Sequence, residues 1–157
     1  MKKLLSRGLV MVAGIASLPL VAPPFAMERR AADYREDHRF DRLKSFFEKA
    51  DCPARDYVEE FLSIADLYAL DWRLLPSISF VESTGGKTAR NNNLFGWDSG
   101  RAQFSSPGAG IDEVGFRLSH SSLYRDKDLD GLLATYNPDA EYGRKVKFVM
   151  QQISRIQ

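Results

Sequence analysis

The 157-residue chain carries 22 Lys and Arg against 21 Asp and Glu, with 44% apolar residues and a single cysteine. That length accommodates one domain and a short extra segment, and the charge balance, with basic residues scattered, excludes a nucleic-acid-binding surface. Cys52 alone excludes an intrachain disulfide, and the isolated His38 and His120 lack metal-ligand spacing, so neither a metal nor another cofactor is expected.

Met1-Lys2-Lys3-Leu4-Leu5-Ser6-Arg7 is a basic opening, followed by an apolar run from Gly8 to Ala22 broken at Pro19, then Pro23-Pro24-Phe25-Ala26. This is the layout of a secretory signal peptide, and the run is short for a membrane span. Cleavage after Ala26 fits, although Pro24 stands where a small residue is preferred. The alternative is retention of residues 1–26 as an inner-membrane anchor. On either reading the remainder is exported, to the periplasm or beyond the cell. Residues 1–26 hold Lys2, Lys3 and Arg7 and no acid, so residues 27–157 are weakly acidic. Residues 27–39 are polar and charged and read as a linker or a solvated helix.

From Phe40, apolar residues at Leu43, Phe46 and Phe47 give the three-and-four spacing of an amphipathic helix. Asp51-Cys52-Pro53 ends it and opens the next, with Asp51 as N-cap and Pro53 in the first turn. Cys52 lacks a Cys-Gly or Cys-His setting and reads as a small buried residue rather than a nucleophile. Tyr57, Val58, Phe61, Leu62, Ile64, Ala65 and Tyr68 then form a broad apolar face. Asp71 is expected to cap a third helix over 72–83, with Leu74, Leu75, Ile78, Phe80 and Val81 deeply buried. Gly85-Gly86 supply the backbone freedom that ends it.

Residues 88–107 have no helical period and are rich in Asn, Ser and Gly, and irregular segments of this length inside a compact domain are usually functional. Helices are predicted over 110–120, where Phe116 is one apolar position, and over 129–136. A last helix opens at Asp139 or Ala140 and puts Tyr142, Val146, Val149, Met150 and Ile153 on one face. The fold class is all-α, six or seven helices around a cleft with an irregular loop or short hairpin on one wall. The domain proper is expected over 40–157.

Glu82 leaves an apolar helix, a setting that raises a carboxyl pKa because poor solvation disfavours the charge. A general acid near neutral pH requires that. Three signals occur in order: Leu74-Leu75-Pro76-Ser77-Ile78-Ser79-Phe80-Val81-Glu82-Ser83, then Asn92-Asn93-Leu94-Phe95-Gly96-Trp97, then Tyr136-Asn137-Pro138-Asp139-Ala140-Glu141-Tyr142-Gly143-Arg144-Lys145-Val146. This set resembles the glucosaminidase-domain family of bacterial cell-wall hydrolases (mannosyl-glycoprotein endo-β-N-acetylglucosaminidase-like), relatives of lysozyme and soluble lytic transglycosylases. The resemblance runs from Phe61 to Ile153.

What it implies is a lysozyme-like helical domain in which Glu82 protonates the departing glycosidic oxygen. Asn92, Asn93 and Phe95 would hold N-acetylated sugar rings through amide hydrogen bonds and ring-face contact. Gly96 would let the backbone approach the glycan, and Trp97 would stack on a sugar. Tyr136 would sit near Glu82 across the cleft, with Tyr142 supporting the site or filling the core. Other readings stand beside these: Tyr136 as a core tyrosine, Trp97 as a loop aromatic pinned to the core, and Asn91 to Asn93 as turn residues tolerating left-handed backbone.

The implied function is a peptidoglycan hydrolase, acting on glycan strands as a monomer and cutting the β-1,4 bond beside N-acetylglucosamine. Glycosidases commonly add a second carboxylate, about 5–5.5 Å or about 6.5–9.5 Å from the first. Asp98, Asp112 and Glu113 are the candidates, none in a strong motif. The substrate's own 2-acetamido group would replace it in a single-glutamate mechanism. Gly96-Trp97-Asp98-Ser99-Gly100 lacks the Gly-Leu-x-Gln run of lytic transglycosylases, which favours the glucosaminidase branch. A lytic transglycosylase and a non-catalytic glycan-binding module on the same fold are the alternatives.

Overall fold

The computed structural model describes residues 33–156; the expected signal peptide or anchor and the opening of the polar stretch lie outside the described residues. The described chain is all-helical, as the periodicity predicts. Its elements are α1 (His38–Lys49), α2 (Val58–Leu67), α3 (Leu74–Ser83), α4 (Pro107–His120), α5 (Leu129–Tyr136) and α6 (Ala140–Arg155), with 3-10 turns at Tyr34–Glu36 and Pro53–Tyr57. Among the described residues the β-pairing is one isolated bridge, Arg90 with Asn93.

Short polar side chains start most of these helices by accepting the orphan N–H groups of the first turn. Asp37 accepts from Arg39 N at 2.8 Å, Ser106 from Ala109 N at 3.1 Å, Asp128 from Gly131 N at 2.8 Å and Asp139 from Glu141 N at 3.0 Å. Pro107 follows Ser106 and brings its φ already set for helix, so α4 begins earlier than the expected 110. Asp51 does not cap the second helical segment. It stands at φ 49 with its carboxylate on Arg55, and Cys52 occupies the cap position without a side-chain bond to the first turn. Nor does Asp71 cap α3, which opens at Leu74. Asp71 accepts instead from Arg73 N, at 3.0 Å, in the turn ahead.

α3 is the central helix, with Leu74 to Ser79 buried without interruption, and it packs chiefly against α6. Its C-terminal end is less deep than expected: Phe80 and Val81 are half-buried. α2 lies on α4 and α1, and an aromatic row carries the core from Phe47 to Phe61, centroids 5.9 Å apart, and on to Phe95 at 6.4 Å. Each such ring contributes roughly 1.5–3 kcal/mol by leaving water. Phe116 faces outward, 46% exposed, and its ring stacks on His120.

From Asp33 on, the stretch read as a linker is fastened to α2. The Tyr34 hydroxyl donates to Asp66 at 3.0 Å, and Arg39 joins Asp37 and Asp66 at 2.6 and 2.7 Å. These polar ends satisfy one another at the surface while the Tyr34 ring is buried beneath them, so a polar sequence makes a packed clasp.

Candidate active site

Thr84 ends α3 in the left-handed conformation, at φ 53, and its N–H reaches Phe80 O. A β-branched residue there is uncommon. Gly85 follows at φ 59 and donates to Ser79 O, while its own carbonyl accepts from Ala54 N at 2.9 Å. A side chain on Gly85 would meet Cys52 Cβ at 2.8 Å, so glycine answers both the conformation and the close approach. Burial pushes the Cys52 thiol up, which leaves it unreactive at neutral pH.

Ser83 binds the helix end to the loop after it. Its buried hydroxyl donates to Leu94 O at 2.7 Å and accepts from Gly86 N at 2.9 Å. Leu94 is therefore held one residue from Glu82 in the register of α3. The chain then turns at Gly96, φ 58, and passes directly over the Glu82 carboxyl: a Cβ on Gly96 would lie 2.7 Å from Glu82 Oε2.

Glu82 is half-buried. Desolvation raises its pKa, and the nearby Tyr142 hydroxyl opposes part of the rise; no second carboxylate contributes. Tyr142 Oη approaches closely enough to favour the charged carboxylate, but completes no hydrogen bond and is buried without a partner. Its ring stacks on Tyr136, centroids 5.7 Å apart and planes 7° from parallel. The Tyr136 hydroxyl donates to Phe95 O at 2.6 Å, and burial, with the negative Glu82 next to it, holds this phenol well above its usual range. Trp97 meets Tyr136 edge-on at 5.6 Å and tilts towards Tyr124 at 6.4 Å.

Gly96, Trp97, Asp98, Arg117, Tyr124 and Tyr136 line an open cleft of about 640 Å³. Glu82 lies behind Gly96 and is not itself among the lining residues. Of the residues singled out from sequence, Gly96, Trp97 and Tyr136 thus share a cleft wall beside Glu82, with Tyr142 one layer deeper. Tyr124 and Arg117 were not singled out. An aromatic in a polar connection and an arginine on the outer face of a helix give no sign of the cleft until α4 and residues 121–128 fold around it.

Two expectations are corrected. The Phe95 ring is fully buried against Phe61, so it offers no face to a sugar; its carbonyl matters instead, as the acceptor for Tyr136. The Asn93 amide is buried and occupied: Nδ2 donates to Trp97 O at 3.0 Å and Ala102 O at 3.2 Å, and Oδ1 accepts from Trp97 N at 3.0 Å. It shapes the loop. Asn92 is exposed at φ 58, with its amide on Phe104 O at 2.8 Å, so turn chemistry accounts for it as well. Of the candidate second carboxylates, Asp98 reaches the cleft and pairs with Arg101 at 2.7 Å, Asp112 accepts from Tyr68 at 2.7 Å, and Glu113 pairs with Arg117 at 2.6 Å.

No protein-family model matches the chain, and no curated protein matches it.

Proposed function

We propose that this domain is an exported glycoside hydrolase of lysozyme-like build that cuts the β-1,4 glycan of peptidoglycan beside N-acetylglucosamine, with Glu82 as general acid. One observation carries the reading: a carboxyl group made reluctant to ionise by burial lies directly beneath Gly96, which lines an aromatic cleft. A protonated Glu82 gives its proton to the departing glycosidic oxygen as the C1–O bond breaks, so the leaving sugar departs as a neutral alcohol. Trp97 and Tyr124 suit the apolar faces of sugar rings, and Gly96, with no side chain, puts the least bulk between the cleft and the acid.

The positive charge that develops at C1 needs an electron pair. Asp98 is paired with Arg101, and neither Asp112 nor Glu113 lines the cleft. The 2-acetamido oxygen of the sugar is the nucleophile this arrangement favours; water then opens the resulting ring and restores the proton to Glu82. Closure by the sugar's own 6-hydroxyl would instead make the protein a lytic transglycosylase, a second reading supported by the same single acid.

The test is release of soluble fragments from purified cell walls by the wild type and by Glu82→Gln, which keeps the shape and removes the proton. Wild-type release that falls by about a hundredfold or more in the variant is expected for loss of a general acid; equal release by both sinks the role of Glu82. Mass spectrometry of the new ends separates the readings, reducing ends for the hydrolase and 1,6-anhydro ends for the transglycosylase. Wall binding without fragment release would favour a glycan-binding module.

A further inference from the structure

The cleft has a second wall with unassigned chemistry. Arg117 projects from α4, and Glu113, one turn earlier, takes its Nε–H at 2.6 Å. Among the described residues this is the one hydrogen bond of the Arg117 side chain, so the terminal N–H groups of its guanidinium remain unpartnered where it lines the cleft. Tyr124, on the same wall, has a hydroxyl with no hydrogen-bond partner among the described residues, and its ring is steadied by Trp97. A fork of free guanidinium donors held in orientation by one carboxylate, beside a free phenol, is a receptor for another carboxylate. Asp98, the acid that lines the cleft, is taken up by Arg101 and does not quench it.

We propose that Arg117, oriented by Glu113 and assisted by Tyr124, recognises the carboxylate-bearing substituent of the glycan and so selects which sugar occupies the cleft next to Glu82. This rests on the glycosidase reading above. In peptidoglycan the shared chemistry has two sources: the free lactyl carboxylate of an unsubstituted muramic acid, and the acidic peptide attached to that lactyl group in a substituted strand. A neutral oligomer of β-1,4-linked N-acetylglucosamine offers neither. Arg117 is thereby a specificity-determining residue, and Glu113 a positioning residue acting through it.

Full-length wild type, Arg117→Gln and Arg117→Lys are compared on three substrates: peptide-bearing glycan strands, strands stripped of peptide by an amidase, and the neutral oligomer. The readout is the ratio of kcat/KM on each anionic strand to that on the neutral oligomer. This ratio is expected to fall by about ten- to a hundredfold in Arg117→Gln, the range for losing hydrogen bonds to a charged group. Arg117→Lys, which keeps the charge but not the fork, is expected to recover part of it. Selectivity lost only on peptide-bearing strands assigns the peptide, and selectivity lost only on stripped strands assigns the lactyl carboxylate. Isothermal titration of an anionic disaccharide fragment, at low and at raised salt, reports the same contact without turnover. An unchanged ratio and unchanged titration in Arg117→Gln overturn the proposal while the role of Glu82 stands. Wild type that cleaves nothing, yet binds the anionic fragment through Arg117, retires the glycosidase and keeps the anion-binding wall. No cleavage together with binding indifferent to Arg117 overturns both.

Discussion

Tyr136, the last residue of α5, donates its hydroxyl to the carbonyl of Phe95 at 2.6 Å, across 41 positions of sequence. The contact fixes the peptide that leads into Gly96, and Gly96 in turn covers the Glu82 carboxyl. One phenol therefore sets the height of the loop over the acid. Tyr136→Phe leaves the Phe95 carbonyl without its donor, at a cost of about 1–3 kcal/mol, with the ring stack on Tyr142 retained. Chemical denaturation should show that loss. Fragment release should fall further than the stability change explains, since a displaced loop misplaces the acid. Full activity in a destabilised Tyr136→Phe protein would show that the tie serves the fold alone.

Gly96 is constrained twice, by its φ of 58 and by the 2.7 Å approach of Glu82 Oε2 to the position of a Cβ. Gly96→Ala should destabilise by about 1–3 kcal/mol from backbone strain and displace the carboxyl as well. Gly96→Asn tolerates the backbone better, yet carries the same Cβ. Activity should be lost in both variants, and stability mainly in the alanine one, as thermal melting and turnover measured together would reveal. An asparagine variant with normal turnover would mean that the approach to Glu82 is not functional.

Asn93 offers a cleaner separation of loop shape from chemistry. Its amide makes three hydrogen bonds inside residues 93–102, all of them to backbone groups. Asn93→Ala should cost about 2–3 kcal/mol, from buried partners left unpaired, and should show a lower melting temperature. Asn93→Asp keeps one acceptor for Trp97 N but turns a buried carboxylate oxygen on the carbonyls of Trp97 and Ala102, and should melt lower still. A variant that melts like wild type but binds glycan poorly would restore Asn93 as a ligand contact.

The helices were legible because their signals are local. The short apolar run predicted as a helix over 129–136 is α5, and the last helix, expected to open at Asp139 or Ala140, begins at Ala140 with Asp139 as its cap. The position of Glu82 at a helix end was legible for the same reason. The interior of the loop was not. Asn93 and Phe95 have the composition of a sugar site, but an amide that can bind a sugar can equally bind three loop backbone groups. A segment without a period also gives no indication of which side of Phe95 meets the core. Arg117 and Tyr124 escaped for a different reason: they come to the cleft only through the packing of α4 and the connection after it. Polar residues 33–39 likewise read as solvated because their partner, Asp66, lies far along the chain.

The raised pKa of Glu82 fixes the sign of its pH dependence. A general acid works while protonated, so kcat/KM should hold at low pH and fall as pH rises through the elevated Glu82 value. Folding follows the same direction. A carboxyl whose folded pKa exceeds its unfolded one contributes stability that is complete below the unfolded value and is lost as pH rises through the folded value. Glu82→Gln should therefore be more stable than wild type near neutrality, with the difference vanishing in acid. Melting curves of the two proteins across that range check it; a gap that widens in acid would mean that Glu82 is held as a stabilised anion.

Tyr142 supplies the most discriminating variant, because its hydroxyl is buried with no partner and yet moderates the acidity of Glu82. Removing an unsatisfied buried hydroxyl relieves its desolvation cost, so at pH values where Glu82 is protonated Tyr142→Phe should be as stable as wild type or slightly more so, with its stack on Tyr136 unchanged. The same substitution removes what favours the charged form of Glu82, so the Glu82 pKa should rise further. The fall of kcat/KM on the alkaline side should shift to higher pH, with little change on the acid plateau. A purely structural tyrosine would move the melting temperature and leave the profile in place. A shifted profile at constant stability would assign Tyr142 to tuning the acid, whereas an unmoved profile would leave burial alone to account for the protonation of Glu82.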